Sequence, residues 1–276
     1  MRKKMILFAV VVSLILVASH FASAQPDVTN GLVGSWTFDE GSGTTAADSS
    51  GNGNNGILIG NPTWTTGKYG NALTFDGANY VDCGNAASLH VQSYTLSAWI
   101  KPSALNDSEH RIMCNGGYGN TNGAVDFVIA SNGKLVVLNQ NGYQDECWSQ
   151  SGSLFAVGTW SHVAATYNAT NGDVKLYVNG IAVSTTVNTL RVPNPNPSYN
   201  LHIGVMGGPL VMYFKGSIDE VRVYNRALAP AEISQVYQVI PEFPSALTLT
   251  FLMAVTTIGV IAYTKRHRKQ AQPLFS

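Results

Sequence analysis

The sequence predicts an all-β sandwich of two antiparallel sheets. Apolar and polar residues alternate with period two at 161–167, 174–178 and 218–224, as they do in strands that bury one face. About 210 residues lie between the two chain ends, a usual length for one such domain. Pairs of Asn or Asp with Gly, which tolerate positive φ and favour tight hairpins, are Asp76-Gly77, Asn132-Gly133, Asn141-Gly142, Asn171-Gly172 and Asn179-Gly180.

One short helix is predicted at the end of this domain. Pro230 lies near the start of a segment, 229–237, in which apolar residues are spaced three and four apart. Proline is favoured in the first turn of a helix, and this spacing gives a helix one apolar face. We therefore expect the domain to span residues 27–238 and to close with a helix.

Residues 1–24 are predicted to be a secretory signal peptide. Three basic residues at 2–4 precede an apolar run at 5–18, and Ala22-Ser23-Ala24 supplies small residues for cleavage before Gln25. The alternative is an uncleaved membrane anchor. Both interpretations export the domain that follows.

The other end predicts a transmembrane helix at 245–264, which has no charged residue and is long enough to cross a bilayer. A basic tail at 265–276 follows and is expected to stay in the cytoplasm, so the domain faces outward. Between domain and span lies a short linker, 239–244, which contains Pro241-Glu242-Phe243-Pro244.

The linker motif, span and basic tail together resemble the PEF-type C-terminal sorting signals of archaeal surface proteins. The resemblance implies that a membrane peptidase of the archaeosortase kind cuts near the motif and passes the protein to a lipid anchor. An ordinary tail anchor is the alternative. In both cases residues 25–240 lie at the extracellular face of the cell membrane.

The domain itself is acidic. Seven of the 16 Lys and Arg residues and one of the 16 Asp and Glu residues lie in the two chain ends, which leaves nine cations, 15 anions and a net charge of −6. A nucleic-acid partner would require a basic surface stripe. The composition therefore argues against nucleic-acid binding.

Five ordered segments of the domain are informative together: GLVGSWTFDEGSGTTAADSSGNGNNG, GKYGNALTFDGANYVDCG, YTLSAWIKP, GTWSHVAATYNATNGDVKLYVNG and GSIDEVRVYNRALAPAEI. They resemble the laminin-G-like, concanavalin-A-like jelly roll of lectins, pentraxins and many microbial surface proteins. The resemblance covers roughly residues 27–238 and implies a jelly-roll sandwich of two antiparallel sheets. It also implies a module that binds carbohydrate or another surface protein; a structural or adhesive envelope protein is the alternative.

The same sandwich carries laminarinase-type glucanases, which resemble one another in a strand with the pattern Glu-x-Asp-x-x-Glu. That pattern places acid and nucleophile on one face, and it does not occur in this sequence. Adjacent acids at Asp39-Glu40, Asp145-Glu146 and Asp219-Glu220 are expected on opposite faces of a strand, and no Gly-x-Ser-x-Gly elbow is present. We therefore predict that the domain is not an enzyme. A divergent glycoside hydrolase is the less favoured hypothesis.

Aromatic rings and amides are the groups expected to contact a glycan. Trp36, Trp99 and Trp160 have apolar neighbours at alternate positions and are predicted to be buried, whereas polar residues flank Trp148. A core or rim position for Trp148 is the alternative. The predicted ligand-binding residues are Trp148, Tyr118, Tyr143, Asn139, Gln140 and Asn141.

The resemblance further implies a structural Ca²⁺ ion that joins the first strand to the last. It singles out the Asp219 side chain as a ligand, with backbone oxygens near Thr37 and Gly70 and with Asp39 as a further carboxylate. Calcium takes six to eight oxygens, so carbonyls must contribute. The alternative is that Asp219 pairs with Arg222 or with a backbone amide.

Export would permit a disulfide, and the domain has three cysteines. We expect any pair to be Cys114 with Cys147, since both lie in the middle third of the domain, and Cys83 to remain a thiol. Asn106 and Asn168 begin Asn-x-Ser/Thr sequences in predicted turns and are expected glycosylation sites.

Overall fold

The computed structural model describes residues 27–105, 108–116, 124–140, 144–152, 154–194, 198–207 and 211–238. These residues form sixteen strands, a 3-10 helix at Ala87–Leu89 and one α-helix, α1 (Pro230–Tyr237). The strands are β1 (Leu32–Trp36), β2 (Thr45–Ala46), β3 (Gly56–Ile59), β4 (Thr63–Thr66), β5 (Asn71–Asp76), β6 (Tyr80–Asp82), β7 (Tyr94–Pro102), β8 (His110–Cys114), β9 (Ala124–Ile129), β10 (Leu135–Gln140), β11 (Gln144–Trp148), β12 (Ser161–Tyr167), β13 (Val174–Val178), β14 (Ile181–Val183), β15 (His202–Ile203) and β16 (Lys215–Tyr224).

The strands form two eight-stranded antiparallel sheets. Sheet A has the order β14-β13-β12-β7-β16-β5-β4, and β1 also pairs with β16. Sheet B has the order β11-β10-β9-β8-β15-β6-β3-β2. Neighbours in each sheet come from distant parts of the sequence, as in a jelly roll, so the predicted all-β sandwich of two antiparallel sheets is confirmed.

Several elements predicted from local patterns are also confirmed. Asp76-Gly77, in contrast, is not a hairpin turn, because it connects β5 of sheet A to β6 of sheet B. The segments at 161–167 and 174–178 are β12 and β13, and the segment at 218–224 lies within β16. Asn179 and Gly180 connect β13 to β14 with φ values of 51° and 77°. Two successive positive φ values are what a two-residue hairpin turn requires, which explains why this Asn-Gly pair marks the turn.

One apolar core fills the space between the sheets. In sheet B, a row of cross-strand partners points into it: Leu58, Val81, Ile203, Met113, Phe127, Val137 and Cys147. From sheet A, Trp36, Tyr94 and Ile218 pack into the same core. Because successive residues of a strand alternate between faces, the neighbours of this row point away from the core.

Helix α1 covers part of the outer face of sheet A. Its Ile233 and Val236 pack against Tyr177 and Tyr224. Glu232 fixes the start of the helix, since it accepts the backbone N–H of Ala229 at 2.7 Å and binds Arg226 at 2.6 Å. This part of sheet A is therefore closed to a ligand.

The expected disulfide between Cys114 and Cys147 is wrong for this fold. Cys147 belongs to the row that points into the core, whereas Cys114 pairs with His202 and Asp126 on the opposite face. Two strands separate β8 from β11, which places the cysteines about 14 Å apart, beyond the roughly 7 Å between Cα atoms that a disulfide spans. Both, like Cys83, are buried free thiols.

Several predictions concern parts of the chain outside the described residues. They are the signal peptide (1–24), the linker (239–244), the span (245–264), the basic tail (265–276), Asn106, Tyr118, Asn141 and Tyr143. Within the described part of the chain, no helix combines the length and the apolar character needed to cross a membrane. Asn168 is half-buried, and its side-chain oxygen accepts the N–H of Thr170 at 3.0 Å; its glycosylation stays a prediction.

Candidate functional site

The outer face of sheet B carries a continuous row of cross-strand partners. In spatial order the row is Ile57, Asp82, His202, Cys114, Asp126, Leu138 and Glu146. Directly opposed residues share one face of a sheet, so seven strands present these side chains on the side away from the core. We call this row, together with the side chains beside it on the same face, the sheet B face.

Trp148 lies at one end of the sheet B face. It pairs with Val136 and packs against an apolar cluster that includes Val128 and Leu138. Its indole N–H donates to a carboxylate oxygen of Glu146 at 2.7 Å. The ring is half-buried, so Trp148 is placed at the rim of the face with part of its surface accessible.

The two neighbouring amides do not behave as expected of ligand-binding residues. Asn139 is on the core side and fully buried; it accepts the hydroxyl of Tyr94 at 2.7 Å and donates to the carbonyl of Arg191 at 2.9 Å. Its amide is used within the fold, which contradicts its predicted role. Gln140 does point to the sheet B face, but it is 1% exposed and donates to Asp126 at 3.4 Å.

A buried ion pair occupies the centre of the sheet B face. The Nε atom of Arg111 lies 3.6 Å from Asp126 Oδ2, and Nη1 donates to Glu109 at 2.7 Å. The side chains of Arg111 and Asp126 are 6% and 1% exposed. Burial raises the pKa of Asp126, while the charge of Arg111 and a hydrogen bond with Cys114 act in the opposite direction. Asp126 Oδ1 has no hydrogen-bond partner among the described residues.

At the other end of the face is an aromatic group that the sequence interpretation did not identify. The ring of Tyr80 lies 5.2 Å from that of His202, edge to face, and 6.5 Å from that of Tyr213. Asn200 donates its amide N–H groups to both oxygens of Asp82, at 2.9 and 3.0 Å. We call these five residues the Tyr80 corner.

Burial determines the pKa and the hydrogen bonding of His202 in the Tyr80 corner. His202 Nε2 lies 3.9 Å from Asp82, yet burial lowers the pKa of His202 and outweighs the carboxylate. His202 Nδ1 is buried without a hydrogen-bond partner in the described part of the chain. The only local signal for this group is the alternation of Tyr80, Val81 and Asp82, which places both polar side chains on one face of β6.

Asp219 lies on the outer face of sheet A, opposite Trp99. The register shifts between Asp219 and Arg222, and Glu220 adopts a φ of 51°, which identifies a β-bulge. The bulge breaks the alternation expected of Asp219 and Glu220. Glu220 rather than Asp219 pairs with Arg222, at 2.6 Å.

The Asp219 carboxylate is fully buried, and one of its two oxygens accepts hydrogen bonds. Oδ2 accepts the backbone N–H groups of Lys68 at 2.8 Å and Tyr69 at 3.1 Å, whereas Oδ1 has no partner among the described residues. Burial raises the pKa of Asp219 to about 7; the amide of Tyr69 opposes this shift and the nearby Glu220 adds to it. A buried oxygen without a donor fits a ligand of a hard cation.

The other residues expected around calcium fit less directly. Asp39 is exposed, and its Oδ1 accepts the N–H of Asn71 at 2.9 Å. A side chain at Gly70 would collide with this same carboxylate. No group of three or more acidic, His or Cys side chains suited to a metal occurs in the residues that the structure describes. An ion at Asp219 would thus depend on backbone oxygens, and those expected near Thr37 and Gly70 stay a prediction.

Comparisons with known proteins agree with this architecture. The sequence profile of the concanavalin A-like lectin/glucanases superfamily, Laminin_G_3, matches residues 75–234, more than half of the 276 residues. No curated protein matches the chain by sequence.

Several solved structures share the fold. Domain 4 of an extracellular GH43 arabinanase from Geobacillus stearothermophilus, in complex with arabinotriose, has a TM-score of 0.59 and 23% identity over 75% of this chain and 98% of that one. The binding domain of botulinum neurotoxin serotype G has a TM-score of 0.57 and 13% identity, over 75% and 51%. The CBM40 domain of the Ruminococcus gnavus IT-sialidase, bound to α2,3-sialyllactose, has a TM-score of 0.50 and 18% identity, over 60% and 96%. The profile match and these shared folds lead to one conclusion: the chain belongs to the concanavalin A-like lectin/glucanases superfamily.

Proposed function

We propose that residues 27–238 form a non-catalytic binding module of the cell surface that recognises carbohydrate through the sheet B face. The observation that carries this proposal is the row of side chains across seven strands, from Ile57 to Glu146. Together with Tyr80, Asn200 and Trp148 beside it, the row mixes apolar, aromatic, amide and charged groups, as saccharide sites do. The two ends of the row are accessible, since Ile57 is 58% exposed and Trp148 beside Glu146 is half-buried. The centre, at Cys114 and Asp126, is at most 1% exposed.

Two of the structural relatives support a saccharide ligand. The arabinanase domain was solved with arabinotriose and the CBM40 domain with α2,3-sialyllactose. The neurotoxin relative is itself a binding domain. Their low sequence identity means that the ligand of this chain must come from its own side chains.

The carboxylates of the sheet B face support binding rather than glycoside hydrolysis. Glu109 and Asp126 both engage Arg111, and Glu146 accepts the indole N–H of Trp148. Hydrolysis needs two carboxyl groups that flank one glycosidic bond. A divergent glycoside hydrolase is therefore the less favoured proposal.

A structural or adhesive envelope protein is the second candidate. The observation that favours it is the exposure of large apolar side chains: Ile181, in β14 at the edge of sheet A, is 72% exposed, and Ile57 is 58% exposed. Exposed apolar groups at a sheet edge are suited to contact with another protein.

A glycan array probed with residues 25–240 tests the first proposal. We expect binding to at least one class of glycan, and Trp148→Ala should weaken it about tenfold because the ring and its bond to Glu146 are lost. Trp160→Ala is the matched control, since Trp160 is also half-buried but stacks with Lys101 outside sheet B. Failure to bind any glycan, with retention by isolated envelope, would favour the second candidate.

We also propose that the module is tethered outside the cell membrane, by the apolar span at 245–264 or by a lipid anchor added after cleavage near residues 241–244. Protease added to intact cells should remove the domain. Protection of the domain until lysis would contradict this topology. Intact mass of the surface form distinguishes the two anchors, because archaeosortase-type cleavage predicts the loss of residues 248–276.

Finally, we propose that a Ca²⁺ ion binds Asp219 Oδ1 together with backbone oxygens near Thr37 and Gly70. The buried oxygen without a donor supports this role. When bound, the ion would supply the positive charge that the site lacks and connect β16 to the segments that follow β1 and β4. Its consequences for stability are testable and are developed in the Discussion.

A further inference from the structure

The Tyr80 corner combines an apolar surface with fixed polar groups. Ile57 and Ile59 in β3 pair with Asp82 and Tyr80 in β6, so the four side chains share one face. The two isoleucines are 58% and 37% exposed, and Tyr80 is half-buried. An accessible aromatic ring beside exposed aliphatic groups offers a flat apolar surface of the size of a sugar ring.

The polar groups of the corner are held in place before any ligand arrives. Asp82 accepts both bonds from Asn200 and also the backbone N–H of Gly84 at 2.9 Å. These two bonds hold the Asn200 amide by its nitrogen and leave its carbonyl oxygen on the side away from Asp82. Asn200 can therefore accept a hydroxyl without reorganising, and such preorganisation lowers the entropic cost of binding.

A further polar atom of the corner lies beside the ring but is itself buried. His202 is 8% exposed, and its Nδ1 atom is buried and lacks a hydrogen-bond partner among the described residues. A buried polar atom without a hydrogen bond costs free energy unless water or a ligand satisfies it. The edge-to-face contact between His202 and Tyr80 places this imidazole next to the accessible ring.

The charge of the corner discriminates between classes of saccharide. The Asp82 carboxylate accepts three hydrogen bonds, and burial lowers the pKa of the neighbouring His202, which disfavours its charged form. The acidic side chain of the corner lies within a domain whose net charge is −6. A carboxylated or sulfated sugar would be repelled, whereas a neutral sugar would not.

We infer that the Tyr80 corner is a subsite for a neutral sugar residue, whose C–H face stacks on Tyr80 and whose hydroxyls bond to Asn200. This inference rests on the proposed function and deepens it. It names the residues that contact the ligand, which lie at the opposite end of the sheet B face from Trp148. It also names the ligand class, an uncharged pyranose or furanose.

The test measures the affinity of the full-length chain, in detergent, for neutral trisaccharides (arabinotriose, maltotriose and mannotriose) and for two anionic probes (sialyllactose and trigalacturonate). At least one neutral probe should bind, with an affinity that changes little between about 0.05 and 0.5 M salt, because no charge is recognised. Tyr80→Ala and Asn200→Ala should each weaken this binding about tenfold, whereas Tyr80→Phe, which keeps the ring, should weaken it less than about threefold.

Trp160→Ala is the control for loss of an aromatic ring elsewhere, and melting temperatures confirm that each variant folds. If Tyr80→Ala does not fold, Asn200→Ala and Tyr80→Phe still decide the outcome. Preference for the anionic probes, or neutral binding that survives both alanine substitutions, would overturn the subsite while leaving carbohydrate recognition intact. Binding of no saccharide at all would overturn the proposed function and the subsite together.

Discussion

Asp219→Asn is expected to lower the melting temperature when calcium is present and to raise it when calcium is removed. A ligand that binds only the native state stabilises it by about 2.7 kcal/mol at a hundredfold excess over its dissociation constant and by about 4.1 kcal/mol at a thousandfold excess. For a domain of this size, such a change corresponds to roughly 10 °C. The amide of the variant lacks the charge that calcium requires, so the variant should lose most of this increment.

Without calcium, the effect reverses because the buried carboxylate is costly. The pKa of Asp219 is about 7 in the folded state and near the ordinary value of about 3.9 in the unfolded chain. In this interval the folded state binds the proton more tightly, so the free energy of unfolding falls as the pH rises from about 4 to about 7 and stays low above it. An uncharged amide avoids this loss and still offers an oxygen to the N–H groups of Lys68 and Tyr69.

Thermal unfolding of both proteins, with calcium and with chelator, at about pH 5 and pH 8, checks this expectation. Asp48→Asn is a matched control, since Asp48 accepts backbone N–H groups of Ser35, Ser50 and Asn54. Its substitution should destabilise the protein equally in both buffers. Identical melting of the unsubstituted protein in both buffers, at calcium well above millimolar, would contradict the metal and leave Asp219 as an acid that fixes the loop at Lys68 and Tyr69.

The all-β class and several individual elements could be predicted from the sequence, because their signals are local. Alternation identifies β12, β13 and β16, and Asn179-Gly180 identifies the hairpin between β13 and β14. The helix at the end of the domain follows from Pro230 and the spacing of apolar residues. In each case the pattern extends over fewer than about 12 residues, which is the range over which backbone preferences and side-chain periodicity act.

The site could not be predicted in the same way, because register between distant strands decides it. Asn200 and Asp82 are 118 residues apart and meet through the pairing of β15 with β6. Asn139 and Gln140 looked equivalent in the sequence, but alternation turns the first into the core and the second to the sheet B face. The bulge at Glu220 is also invisible locally, since nothing in an alternating segment marks where one extra residue enters the ladder.

Asp126→Leu is expected to destabilise the domain by about 3–5 kcal/mol, because it leaves the buried guanidinium of Arg111 without its buried carboxylate partner and with only the partly exposed Glu109. The two side chains are 6% and 1% exposed, so water cannot replace the lost carboxylate. Glu109→Gln is the matched control on the same guanidinium. Glu109 is 37% exposed, and loss of a bond to an exposed acid should cost less than about 1 kcal/mol.

Arg111→Met should cost less than Asp126→Leu, and its cost should depend on pH. The carboxyl group left behind can take up a proton, and burial already raises the pKa of Asp126. The folded variant would then bind this proton more tightly than the unfolded chain, so its free energy of unfolding should be higher at about pH 5 than at pH 8. The Asp126→Leu variant has no such carboxyl, and its cost should vary little over the same range.

The double variant Arg111→Met/Asp126→Leu distinguishes a structural role of the pair from a role in recognition. Replacing both charges with apolar side chains removes the desolvation cost, so stability should return to within about 1 kcal/mol of the unsubstituted protein. The row of the sheet B face would then be interrupted at its centre by apolar groups, and the exposed side chains beside it would lose the fixed support of the ion pair. We therefore expect the double variant to fold and to lose glycan binding. Recovery of stability with unchanged glycan binding would show that the ion pair lies outside the ligand-binding part of the face.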